Sequence, residues 1–113
     1  MKNQKDAPSP KTEHVNSLKI AEIVENLEVR HESSAKRFAV RLGNQIAYLS
    51  YEKRSDKTID YAHVYVPPEF RNRRIAEKLT KTALDYAKQK GLTVIPGCSY
   101  VATYLKRIKR RQK

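Results

Sequence analysis

At Pro67-Pro68 the hydrophobic period of this chain changes, and that change limits the folds open to it. Upstream, Thr58 to Val66 is a run of β-branched and aromatic residues that reads as a strand, and the two prolines stop it. Downstream, Ile75, Leu79, Ala83, Tyr86 and Ala87 recur at the 3.6-residue spacing of a helix face, and Gly91 stands where a C-terminal cap belongs. Leu92 to Ile95 is then an apolar run too short for a helix and reads as a buried strand, which Pro96-Gly97 breaks. A strand, a helix of this length and a second strand call for a right-handed crossover between parallel strands. Ligands of such units bind outside the carboxyl ends of the strands, beside the helix N-terminus.

The upstream pattern supplies the rest of a sheet. Phe38, Val40 and Leu42 alternate with Arg37, Ala39 and Arg41, the period of a half-buried strand. Gly43-Asn44 follows as a two-residue hairpin signal, and Gln45 to Tyr51 is the returning strand. Lys53 to Lys57 reads as a second turn, and Leu27 to His31 as an earlier strand. Ser17 is placed to cap a short helix with Ile20, Ile23, Val24 and Leu27 on one side; the other reading is that this piece runs into the first strand. A last helix is expected from Ser99 or Cys98 through Tyr100 to about Ile108. The expected class is α+β: an antiparallel sheet with one parallel strand pair joined by a crossover helix.

At 113 residues and 39% hydrophobic content the chain is one domain with a modest core. Residues 1–16 read as a mobile polar tail, 17–108 as the domain and 109–113 as a basic tail. No apolar run approaches spanning length, so no membrane contact is expected. The first residues lack the apolar stretch of a secretory signal, and Asp6 and Glu13 are unlike a transit peptide. One cysteine excludes an intrachain disulfide and fits a reducing, intracellular setting, cytoplasmic or, given KRIKRR as an address, nuclear. No His, Cys or carboxylate set has metal-ligand spacing, so no metal is expected.

Charge sets the chemistry of partners. Against 12 acidic residues stand 24 Lys and Arg, a formal +12, with a pI near 10.0. Such a surface draws phosphorylated ligands and polyanions. Three cations, Arg71, Arg73 and Arg74, crowd the opening of the crossover helix, read as starting about Asn72. The helix dipole already makes that end positive, and an unpaired cation there costs roughly 0.3–1 kcal/mol. A bound phosphate or pyrophosphate offsets both the dipole and the mutual repulsion. The other reading is that the arginines point into water, where salt screens them.

The stretches HVYVPPEFRNRRIAEKL, LDYAKQKGL and VIPGCSYVATYL resemble the small, single-domain branch of the GCN5-related N-acetyltransferases, over about Leu27 to Leu105. The resemblance implies a GNAT-like fold, acetyl-CoA as donor and an amine acceptor. In that family backbone N–H groups of an Arg-x-x-Gly-x-Gly/Ala turn hold the coenzyme A pyrophosphate; here the turn is Arg71-Asn72-Arg73-Arg74-Ile75-Ala76. The strand that pairs with the pantetheine arm maps to Val64, Tyr65 and Val66. Pro96-Gly97-Cys98-Ser99-Tyr100-Val101 matches the setting in which the branch carries an acyl-accepting cysteine, here Cys98. Asn72 and Arg74 depart from the pattern, standing where the family carries glycine. Arg74 either supplies a guanidinium to the pyrophosphate or obstructs it.

Two further residues complete the candidate set. Cys98 follows a Pro-Gly break near a helix N-terminus, where N–H groups favour a thiolate; a lone Cys by an apolar strand is otherwise a small buried hydrophobe. His63 lies mid-strand, read as on the side of Tyr61 and Tyr65, and is a general base, an active-site hydrogen-bond donor or structural. His14 and His31 show no partner pattern. The seven tyrosines are expected mostly in core and pocket wall, since a base-stacking platform needs several on one exposed face. The alternative function is a non-catalytic basic module of the same fold, its tail contacting nucleic acid or another polyanion.

Overall fold

A computed structural model describes residues 17–111, with side chains from Ile20 to Arg110; the polar stretch 1–16 and the end of the basic tail lie outside them. Helix α1 (Ser17–Glu25) leads into strand β1 (Val29–Glu32). After a single 3-10 turn come β2 (Arg37–Leu42), β3 (Gln45–Ser55) and β4 (Thr58–Tyr65). A second 3-10 turn, Pro68–Phe70, precedes helix α2 (Ile75–Lys90), β5 (Thr93–Ile95) and helix α3 (Ser99–Arg111). The strands form one sheet in the order β1-β2-β3-β4-β5. The first three pairings are antiparallel and β4–β5 is parallel, so α2 is the crossover that the period change demands.

The alternation of β2 and β3 turns Phe38, Val40, Leu42, Ala47, Leu49 and Tyr51 to one face, where all are buried. On α2, Ile75, Leu79, Ala83 and Ala87 make the matching stripe. Ile20 of α1 and Val101 of α3 join the same cluster, so all three helices pack on that face. Each large side chain fully buried there contributes about 1.5–3 kcal/mol. The Tyr61 hydroxyl donates to the Ala83 carbonyl and anchors β4 to α2. Gly91 ends α2 at φ 67°, its N–H bonded to the carbonyls of Ala87 and Lys88.

Several boundaries differ from the sequence reading. β3 runs on to Ser55, so the turn before β4 is only Asp56-Lys57. The prolines open a 3-10 turn rather than the helix, and α2 starts at Ile75, not near Asn72. α3 continues past Ile108 to Arg111, because its tyrosines, Val101, Leu105 and Ile108 keep helical spacing into the basic run. Lastly, β4 carries an irregularity: Tyr51 pairs with Tyr61 and Ser50 with His63, which leaves Ala62 as an extra residue. That bulge inverts the facing of the residues after it. Tyr61 points to the core, whereas His63 and Tyr65 point to the opposite face, so His63 does not share a side with Tyr61 as the simple period implied.

Candidate active site at the start of the crossover helix

The bulge at Ala62 falls where β4 parts from its parallel neighbour. Pairing with β5 spans only Thr58–Asp60 against Thr93–Ile95, with one further bond from the Cys98 N–H to the Tyr61 carbonyl at 3.0 Å. Beyond Tyr61 the strand is hydrogen-bonded as a ladder on its β3 side only. The chain then turns through Pro67 and Phe70, both buried, and the N–H of Phe70 bonds the Pro67 carbonyl at 2.9 Å. Arg71 is extended, and its Nε donates to the Val66 carbonyl at 2.9 Å, tying the loop to the strand end.

Asn72 and Arg74, the two departures from the glycine pattern, both adopt the left-handed conformation, with φ of 64° and 65°. Asn tolerates it; for Arg it costs of the order of 1 kcal/mol. Arg73 between them is not left-handed. Such alternation turns successive N–H groups towards one point and forms an anion-binding concavity. Arg74 is the N-cap of α2 and makes no side-chain cap bond, so among the described residues no side chain satisfies the first-turn N–H groups. The arginines therefore precede the helix instead of occupying its first turn. The acid physics prefers there is present: Glu77.

A cavity of about 400 Å³ opens at this point. Val66, Arg71, Asn72, Arg74, Ile75 and Ala76 line it, six of the residues expected from the sequence. Phe70, Glu77, Tyr100 and Arg107 complete the wall and were not anticipated. Tyr100 and Arg107 are seven apart on α3 and so share a helix face, a spacing visible in the sequence; that this face meets the α2 N-terminus is a tertiary fact. Burial raises the Tyr100 pKa, opposed by the Arg107 guanidinium beside it, while Glu77 adds to the rise. Three arginines, Arg71, Arg74 and Arg107, and one acid, Glu77, thus share the wall of the cavity.

The other expected residues lie apart. Arg73 lines a shallow groove on the α1 side with Val24, Leu27, Lys78 and Lys81, and shares Arg74 and Glu77 with the main cavity. Val64 and Tyr65 sit upstream on the stretch of β4 that pairs with β3 alone. Cys98 is partly buried against the core and precedes α3, its carbonyl accepting from Ala102 N–H at 3.1 Å. Neither it nor His63, exposed on the far face, lines the cavity. His31, for which no partner was expected, has one: its Nε2 is 2.6 Å from the Tyr51 hydroxyl, and its ring stacks on Phe38. Among the described residues no group of three or more His, Cys, Asp or Glu is placed to hold a metal. Nor is any described helix long and apolar enough to cross a membrane.

A family profile described as GCN5-related N-acetyl-transferase matches residues 37–113, from β2 to the end of the chain. The chain belongs to that family. The resemblance drawn from the α2 entry and the Cys98 stretch thus agrees with a match over most of the domain. Proteins called Protein NATD1 are also similar. The zebrafish protein (Danio rerio) is 32% identical over 91 residues, 79% of this chain and 83% of that protein. The Xenopus tropicalis protein is 36% identical over 83 residues, 72% and 76% of the two chains, and the human one 34% over 82 residues, 71% and 73%. With a five-stranded sheet and one parallel pair, this is an N-acetyltransferase-like domain.

Proposed function

We propose that this domain transfers an acetyl group from acetyl-CoA to an amine, and that the cavity at the start of α2 takes the coenzyme A pyrophosphate. One observation carries the reading: an uncapped helix N-terminus, entered through two left-handed residues, with Arg71, Arg74 and Arg107 around it. N–H groups without side-chain partners and fixed cations are what a diphosphate requires. Arg74 supplies in charge what a glycine would supply in closeness. Val64 and Tyr65 offer backbone groups to the pantetheine amides on the stretch of β4 that β5 has left. The Val66 carbonyl already accepts from Arg71 and retains only its second lone pair.

When bound, acetyl-CoA supplies an acyl carbon activated as a thioester. Cys98 is the proposed first acceptor: its sulfur forms the new thioester, the bond to the coenzyme sulfur breaks, and the thiol proton passes to that sulfur. The acceptor amine then displaces Cys98, and a proton from the nitrogen restores the thiol. Support for Cys98 is its place, at the point where β4 and β5 part and directly before α3.

The test is thermal unfolding with and without coenzyme A, joined to intact-mass spectrometry after acetyl-CoA. Saturating coenzyme A should raise Tm, and Arg71→Ala and Arg74→Gly should shrink the rise; ten-fold weaker binding removes about 1.4 kcal/mol. A larger rise in Arg74→Gly means that Arg74 obstructs the turn. Wild type should gain one acetyl group and Cys98→Ala none, with coenzyme A binding kept within a few fold. No response to coenzyme A in any form overturns the proposal.

A further inference from the structure

The sheet has a second face, and the described helices leave it open. The residues by which α1, α2 and α3 are buried all join the core on the other side. On the open side three rings lie together. Tyr48 is 5.7 Å from Tyr65 and 5.9 Å from His63, centroid to centroid. Tyr65 is among the most exposed large hydrophobic residues, at 37%. The Arg37 guanidinium carbon is 6.0 Å from the centre of the Tyr48 ring. The bulge at Ala62 creates this cluster. Without it, His63 and Tyr65 would continue the inward side of Ile59 and Tyr61.

We propose that this open face binds single-stranded nucleic acid, with bases stacked on Tyr48, His63 and Tyr65 and a phosphate at Arg41. Every base has a π-face, and stacking on an exposed aromatic ring is sequence-tolerant. A duplex keeps its bases stacked inside and cannot use such a platform. Arg41 is exposed and has no ion-pair partner among the described residues. Arg37 is held by Glu32 at 2.6 Å, and Arg30 faces Glu28 at 3.9 Å, so local charge on this face is nearly balanced. Stacking, not charge, carries the affinity here, while the overall +12 brings the polyanion in. The three rings lie outside the α2 cavity, although the Tyr65 backbone belongs to the proposed pantetheine stretch, and the binding does not depend on acetyl transfer.

The experiment is fluorescence anisotropy of the whole chain with a single-stranded RNA of about 12 nucleotides, within the range one sheet platform covers. The same-length duplex and heparin serve as controls. Tyr48→Leu keeps apolar bulk and removes the ring; it should weaken single-strand binding five-fold or more, the lower end of base–aromatic stacking, and leave heparin binding unchanged. Tyr48→Phe should bind like wild type. Arg41→Ala should lower the salt slope by about 0.7, one phosphate contact, and carries the test if Tyr48→Leu does not fold. Equal RNA binding by wild type and folded Tyr48→Leu, a preference for duplex, or an unchanged slope in Arg41→Ala overturns the proposal. So does a dimer at assay concentration that Tyr48→Leu dissociates, which means that a second copy covers the face.

Discussion

Gly97 is the residue whose identity is most narrowly set. A Cβ built on it would lie 2.3 Å from Asp60 Oδ1 and 3.5 Å from the Ala62 Cα. Asp60 has little room to yield: it is 8% exposed, and its other oxygen is 2.9 Å from Arg54 Nη2. Its Oδ1 has no hydrogen-bond partner among the described residues. Glycine here lets the turn after β5 come close enough for the Cys98 N–H to reach the Tyr61 carbonyl. Gly97→Ala should therefore destabilise by about 1–3 kcal/mol, as overpacking does. Shortening the obstacle should relieve it, so in a double-mutant cycle by urea unfolding Gly97→Ala should cost less in an Asp60→Ala background. Equal costs in both backgrounds would place the strain elsewhere. The Pro-Gly pair was legible as a break; the reason for glycine was not, since Asp60 is remote in sequence.

Among the elements, β1 and α2 meet through an aromatic group that no local pattern announces. His31 stacks on Phe38 at 4.4 Å and meets the Tyr86 edge at 4.6 Å, while Tyr51 bonds its Nε2. Burial lowers the His31 pKa below 6.5. Burial also raises that of Tyr51, with Tyr86 adding to it, so the hydroxyl keeps its proton beside a neutral imidazole. The unfolded chain then binds the extra proton more readily than the folded one, and stability rises with pH across the interval between the lowered value and 6.5. Melting curves from pH 5 to 7 should show Tm climbing in that interval and level above it. His31→Phe should flatten the part of the climb that belongs to this residue. A climb identical in the variant would mean that another group titrates.

At the scale of the molecule, two groups of cations, sharing Arg107, have different consequences. Arg71, Arg74 and Arg107 converge on a cavity with one acid in its wall. The end of α3 carries Lys106, Arg107, Lys109 and Arg110 along a helix that reaches Arg111, with no acid after Asp85. The first should bind a defined ligand and the second polyanions in general. Deleting Lys109 to Lys113 removes four cations, Lys109, Arg110, Arg111 and Lys113. If each meets a phosphate, the log–log salt slope for heparin or single-stranded RNA should fall by up to about 0.7 per contact. The coenzyme A melting shift should stay nearly as it was. Loss of both together would make the end of α3 part of the coenzyme site.

Much of the architecture was determined by the sequence alone, because it follows from local periods. The alternation in β2, the Gly43-Asn44 turn, the switch to helical spacing after Pro68 and the Gly91 cap each act over a few residues, and all appear in the structure. Five of the expected coenzyme residues, Arg71, Asn72, Arg74, Ile75 and Ala76, belong to one contiguous motif and line one cavity for the same reason, joined by Val66 from the strand before it. Contacts between distant segments decided the rest. The bulge at Ala62 is a mismatch between two strands and has no signature within either. It turned His63 and Tyr65 away from the core and coincides with the parting of β4 from β5. Tyr100 and Arg107 entered the cavity wall because Val101, their neighbour on α3, is buried in the core that α2 also covers. Period sets which face of an element is apolar; only packing sets what that face, and the polar one behind it, will meet.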